Sequence, residues 1–280
     1  MKTIGFIDYY ISEWHANNYP AWIKRASEAM GEDFEVKYAW AELEVSPLDG
    51  VSTAEWCEKN GAVMCESIAE LCEKADYILI LAPSNPEKHL AYAAEALKCG
   101  KNTYIDKTFA PDYETAKKIF DIAERHGTKF FSSSALRYST ELDAFSEVNS
   151  VITTGGGSNI DEYIIHQIEM AVKLLGANPT RLKVEANGQT QRVCTVEFEG
   201  GKSARMIYAP SFGFLVNADT ATGNIGKNIS SDFFAALISD ILRFYLSGKP
   251  SFDTSETLRV MKIRGGVVKA NGTLGEWLSL

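Results

Sequence analysis

Residues 75–138 read as strand, helix, strand, helix, strand in one unbroken run, and this alternation restricts the possible folds more than any other feature of the chain. Residues 77–82 are a short apolar stretch rich in β-formers that stops at Pro83. Residues 85–97 have helical periodicity and run into Cys99-Gly100, where glycine suits a helix C-cap. A second strand covers 103–106, an amphipathic helix covers 113–125 and ends at Gly127, and a third strand covers 129–132. Short strands joined through helices require crossover connections, which makes the sheet parallel. Ligands of such sheets collect at the carboxyl ends of the strands. Those ends are Ala82-Pro83-Ser84-Asn85, Asp106-Lys107-Thr108 and Ser133-Ser134-Ala135, so Lys107 sits where chemistry is expected.

The same run resembles the glucose–fructose oxidoreductase, inositol dehydrogenase and MocA (Gfo/Idh/MocA) family of nicotinamide-dependent sugar and polyol oxidoreductases. Leu81-Ala82-Pro83 followed by His89 matches the family's Ala-Thr-Pro-like turn and helix-opening histidine. Cys99-Gly100-Lys101 matches its Ala-Gly-Lys, Asp106-Lys107-Thr108 its Glu-Lys-Pro, and Arg137-Tyr138 a later Arg-aromatic pair. The resemblance implies an α/β chain: a Rossmann-like, doubly wound parallel sheet over 1–135, then an α+β substrate and oligomerisation domain with a mostly antiparallel sheet over 136–280. It implies a catalytic lysine at Lys107, where Asp for Glu and Thr for Pro change the turn. It also implies cofactor-side positions at Pro83, Asn85, His89 and Asp106, and a substrate position at Arg137.

The N-terminal segment follows that plan with one departure. Residues 3–7 read as the first strand and 14–30 as the first helix. A dinucleotide fold places Gly-x-Gly-x-x-Gly between them, because only glycine lets backbone approach the pyrophosphate. Here the turn is Asp8-Tyr9-Tyr10-Ile11-Ser12-Glu13, with no glycine and two carboxylates. Asp8, Tyr10 and Ile11 hold the cofactor-side positions, and His15 falls near a family histidine, where a helix-start surface residue is the plainer reading. A second strand over 35–40 leads to Glu42. The stretch 38–44 has no arginine or lysine for a 2′-phosphate, so NAD is favoured over NADP. A helix over 52–60, a brief strand over 62–65 and a helix over 67–74 with a Ser67–Glu70 capping box complete this half.

Beyond residue 138, a strand near 151–153 and Gly155-Gly156-Gly157 precede a helix over 160–175, with Asn159 and Glu162 as its capping box. The glycines read as a flexible interdomain loop, or as an anion cradle. Strands follow at 181–186, 192–199, 203–209 and 213–218, with a hairpin turn at Gly200-Gly201, and helices at 233–246 and 255–270 close the chain. Cys194, Val196 and Phe198 alternate with Val193, Thr195 and Glu197, giving one apolar and one mixed face. On the 160–175 helix, Glu162, His166 and Glu169 share a face. The resemblance offers His166 as the base that takes a hydroxyl proton, with Glu162 or Glu169 orienting the ring and Glu162 near substrate. A structural histidine paired with a carboxylate is the plain alternative. One histidine and two carboxylates on one helix make an incomplete metal site, so no metal is expected.

The formal charge of −9 argues against a nucleic-acid or anionic-membrane footprint. No apolar run approaches the roughly 20 residues of a membrane span. Five cysteines without a Cys-x-x-Cys pair, and a start without signal-peptide layout, point to reduced thiols in the cytoplasm. The expected function is NAD(P)-dependent oxidation of a hydroxyl on a sugar, polyol or related small molecule, in a homodimer or larger homo-oligomer. Lys107 and His166 are expected to reach one cleft, within about 12 Å, since one substrate must bridge both. The rival is a non-catalytic or differently catalytic small-molecule-binding protein that kept the sheet and lost dinucleotide binding.

Overall fold

The computed structural model describes all 280 residues, which form two compact units. The first comprises residues 1–133 and 237–254, the second 134–236 and 255–280.

In the first unit the strands are β1 (Lys2–Asp8), β2 (Phe34–Ala41), β3 (Val63–Met64), β4 (Tyr77–Ile80), β5 (Thr103–Ile105) and β6 (Phe130–Phe131). All pair in parallel, in the order β3-β2-β1-β4-β5-β6. The helices between them are α1 (Trp14–Ala29), α2 (Thr53–Asn60), α3 (Ile68–Lys74), α4 (His89–Ala96) and α5 (Tyr113–His126). Ile4, Phe6, Ile7, Ile78, Leu79, Ile80, Tyr104 and Ile105 are all fully buried, as expected for strands covered on both faces. Each aliphatic side chain so buried contributes about 1.5–3 kcal/mol. Gly5 lets α3 lie against β1: a Cβ there would come within 2.4 Å of the Leu71 side chain.

Helix ends follow the sequence signals. Ser52 and Glu55 form a full capping box on α2, and Asp112 caps α5, which ends at left-handed Gly127. The Ser67–Glu70 box is only half made: Ser67 accepts from Glu70 N, while the Glu70 carboxylate turns to the N–H of Glu66. The helix expected over 85–97 is broken into a 3₁₀ turn (Pro86–Lys88), α4 and a second 3₁₀ turn (Leu97–Cys99). Proline at the first of these positions has no N–H to donate and starts the turn instead.

In the second unit, β7 (Val148–Gly155) is followed by α6 (Ile160–Leu175), then β8 (Pro179–Asn187), β9 (Gln191–Phe198), β10 (Ser203–Tyr208), β11 (Leu215–Thr220) and β12 (Gly223–Asn228). After α7 (Phe233–Ser247) the chain completes the first unit, where Tyr245 donates to Ile78 O at 2.8 Å and stacks on Tyr77. It then returns through α8 (Ser255–Ala270) and β13 (Leu278–Ser279). The sheet order is β12-β11-β7-β10-β9-β8-β13; only β7 and β10 run parallel. Helix α6 packs on β7 and β10. The alternation on β9 is as expected, with Cys194, Val196 and Phe198 buried and the residues between them half-exposed.

No helix is long and apolar enough to cross a membrane. All five cysteines are free thiols.

Candidate functional site

At the carboxyl edge of the first unit's sheet, the turn after β1 is held by its own acidic side chains. Asp8, 1% exposed, accepts the N–H groups of Tyr9 (2.7 Å) and Ala82 (3.0 Å), tying the end of β1 to the loop after β4. Glu13 is the N-cap of α1, its carboxylate accepting from His15 N (2.8 Å) and Ala16 N (2.5 Å). His15, expected at the surface, is instead 7% exposed. Its Nδ1 lies 3.6 Å from Glu13 and 3.4 Å from Asp106. The ring lies beside these carboxylates and packs edge-on against Tyr19. Asp8 is pushed well above the ordinary carboxylate range, first by burial and then by the neighbouring Glu13. Burial, then Asp106 and Glu13, raise Tyr19 likewise. These side chains do not converge as a metal-ligand set.

The other cofactor-side positions divide between packing and edge. Ile11 and Pro83 are buried, while Tyr10 and Asn85 are half-exposed. His89 is fully buried, with Nδ1 3.0 Å from Phe109 O and Nε2 against Leu81 O, so it pins two loops together; burial holds its pKa down. Asp106 is 1% exposed and accepts from the Tyr104 hydroxyl at 3.3 Å. Lys107 follows it, half-buried, with Nζ 3.4 Å from Pro83 O. The Lys107–Thr108 peptide is cis. Past β2, Glu42 is paired with Lys88 at 2.5 Å and accepts from the Tyr92 hydroxyl at 2.8 Å. The Lys88 hydrogen bond lowers its pKa. That lysine, 46 residues away in sequence, was invisible to a reading confined to 38–44.

In the second unit, His166 is half-buried on α6, its Nδ1 2.7 Å from Ser134 Oγ. Tyr163 and Phe214 flank its ring at 5.8 and 5.7 Å. Glu169 is buried and bonded to Arg137 at 3.1 Å. Arg137 is 5% exposed and bridges Glu169 and Glu256. Burial works to lower its pKa, and the two carboxylates outweigh it, leaving the value raised. Glu162 is half-exposed beside Asn159 Nδ2 (3.2 Å), and the expected box there is half made, with Asn159 accepting from Glu162 N at 2.9 Å. Ile164, one turn from Ile168 on the same helix, is fully buried in the core. Ser134 and Phe214 were missed in the sequence, since neither carries a spacing signal.

The glycine triplet is neither a flexible loop nor an anion cradle. Gly155 ends β7, and a Cβ on Gly156 would lie 2.3 Å from Ala209 O. Gly157 has φ +149°, packs under the Tyr163 ring, and spends its N–H on Pro210 O at 3.2 Å. Close packing, not ligand approach, requires glycine here.

Residues 28–134 match the family model described as an oxidoreductase family with an NAD-binding Rossmann fold. An uncharacterized oxidoreductase of Escherichia coli, YhhX, is 33% identical over 58 residues, spanning 21% of this chain and 17% of that protein. Among solved structures, a myo-inositol dehydrogenase from Lactobacillus casei in complex with NAD(H) and myo-inositol aligns with TM-score 0.82 at 12% identity, over 100% of this chain and 96% of that one. An NAD-binding oxidoreductase from Klebsiella pneumoniae aligns with TM-score 0.80 at 14% identity, over 99% and 98%. At such identities the likeness is one of fold. The match to that family model lies almost wholly within the first unit and covers less than half of the chain. The matched segment begins at Glu28, after the turn that ends at Glu13. As folded, the N–H groups of Tyr9, His15, Ala16 and Ala82 are taken by Asp8 and Glu13, so a dinucleotide's pyrophosphate fits this turn only where those carboxylates give way.

Proposed function

We propose that the protein is a nicotinamide-dependent oxidoreductase acting at a hydroxyl-bearing carbon of a sugar, polyol or related small molecule, with NAD(H) preferred to NADP(H). Lys107 carries this reading. It lies within the family-matched segment, at the carboxyl end of β5, half-buried and next to the Pro83 carbonyl. An ammonium group in that position polarises a substrate oxygen and stabilises charge developing there. His166 is assigned the proton. Ser134 holds the ring through Nδ1, and Tyr163 and Phe214 offer apolar faces to a sugar ring. Hydride transfer is the chemistry a nicotinamide supplies when bound. The NAD preference rests on Glu42, whose ion pair occupies the Lys88 cation that a 2′-phosphate would need.

The test is turnover with a panel of cyclitols and aldoses, followed through nicotinamide absorbance. Lys107→Met and His166→Asn are each expected to lower kcat by about 10²-fold or more. Unchanged turnover in both variants removes the assignment. A second reading, a small-molecule-binding protein that has lost dinucleotide binding, is favoured by the carboxylates in the turn after β1. Absence of nicotinamide turnover with every substrate supports it.

A further inference from the structure

The start of α1 is where a dinucleotide fold receives pyrophosphate, through free backbone N–H groups and the positive end of the helix dipole. In this chain the receiving groups already hold an anion. Glu13 folds back so that its two carboxylate oxygens take the N–H groups of His15 and Ala16, and the residue is 6% exposed. Caps are usually shorter side chains (Ser, Thr, Asp or Asn), so a glutamate filling this place reaches further into the anion position. Asp8 does the same one step away, at Tyr9 and Ala82. The second oxygens of Asp8 and Asp106 and the hydroxyl of Tyr19 are buried there without hydrogen-bond partners. The end of the helix is thus built as an anion site, and the anion belongs to the chain.

We propose that the Glu13 carboxylate is a tethered internal anion standing in the place of a ligand's pyrophosphate, and that residue 13 determines the chain's affinity for dinucleotides. The proposal rests on reading this crevice as a nucleotide site. A group tethered by one short side chain competes at an effective concentration of about millimolar or higher. A dinucleotide must therefore displace Glu13 and settle beside Asp8 and Asp106. Removing the carboxylate should free the N–H groups for a phosphate oxygen.

The experiment compares the full chain with Glu13→Ser, Glu13→Gln and Glu13→Gly. Serine keeps a good cap and guards against simple unfolding. Glutamine keeps the size and removes the charge. Two probes are used: NADH by fluorescence titration, and inorganic pyrophosphate by the thermal shift it produces. Glu13→Ser and Glu13→Gly are expected to bind both probes about tenfold or more tightly than wild type, a change of one decade in Kd. Glu13→Gln should fall between. Pyrophosphate gained with no NADH binding in wild type or any variant sustains the tethered anion and defeats the nicotinamide reading. Measurable wild-type NADH binding that no folded variant tightens, or no gain of pyrophosphate in any of them, overturns the proposal while leaving turnover to judge the function.

Discussion

Asp8 and Glu141 are both carboxylates that accept backbone N–H groups, yet burial separates their behaviour. Glu141 is partly exposed and accepts from Ser230 N (2.9 Å), Ser231 N (2.8 Å) and both serine hydroxyls. Burial opposes its ionisation, but these hydrogen bonds prevail and bring its pKa from 4.5 down to about 2. Its folded value lies below its unfolded one. Its stabilisation is therefore present above pH 4.5 and lost as pH falls toward 2. Solvent screening limits the effect to about 1 kcal/mol. Glu141→Gln is expected to flatten the acid limb of thermal stability against pH; an unchanged limb contradicts this. Asp8 is displaced the other way, so its contribution is greatest at low pH and lost as pH rises through its raised folded value. Asp8→Asn keeps an acceptor for Tyr9 and Ala82 and removes the buried charge. It should be at least as stable as wild type at pH 7, and a melting temperature several degrees lower would show that the carboxylate is needed.

Elements were legible where pattern and packing agree. The βαβ run of residues 75–138 and the extent of α6 follow from periodicity and caps, because a buried apolar stripe and a C-terminal glycine decide both. Strands β12 and β13 were missed. Gly223–Asn228 is polar and mostly exposed and is held only by pairing with β11, while Leu278–Ser279 is a two-residue edge on β8. Neither carries an alternation to read. The same limit applies to the site: Lys107 and His166 sit in motifs, but the inward turn of His15 and the pairing of Lys88 with Glu42 depend on tertiary contacts. The glycine triplet shows the reverse error, since a loop-like composition conceals tight packing. Gly156→Ala places a Cβ against the Ala209 and Pro210 carbonyls at 2.3 and 2.6 Å. It should destabilise by about 1–3 kcal/mol in urea unfolding, as overpacking does. A midpoint equal to wild type contradicts the packing account.

For the whole molecule, the formal charge of −9 and the half-exposed face of β9 leave the second sheet open either to solvent or to a second copy. Trp277 on this unit is 42% exposed beside Arg181. Family resemblance points to self-association, so light scattering is expected to give a homodimer or larger species, and a monomer at high concentration contradicts it. On the proposed function, the first unit keeps the chemistry-bearing edge of its sheet while carboxylates fill the place of a pyrophosphate. The most direct test is equilibrium titration of the wild-type chain with NADH and NADPH by nicotinamide fluorescence. Weak, saturable NADH binding and weaker NADPH binding are expected. NADPH binding as tight as or tighter than NADH binding, or tight binding of either at the wild-type turn, contradicts that reading.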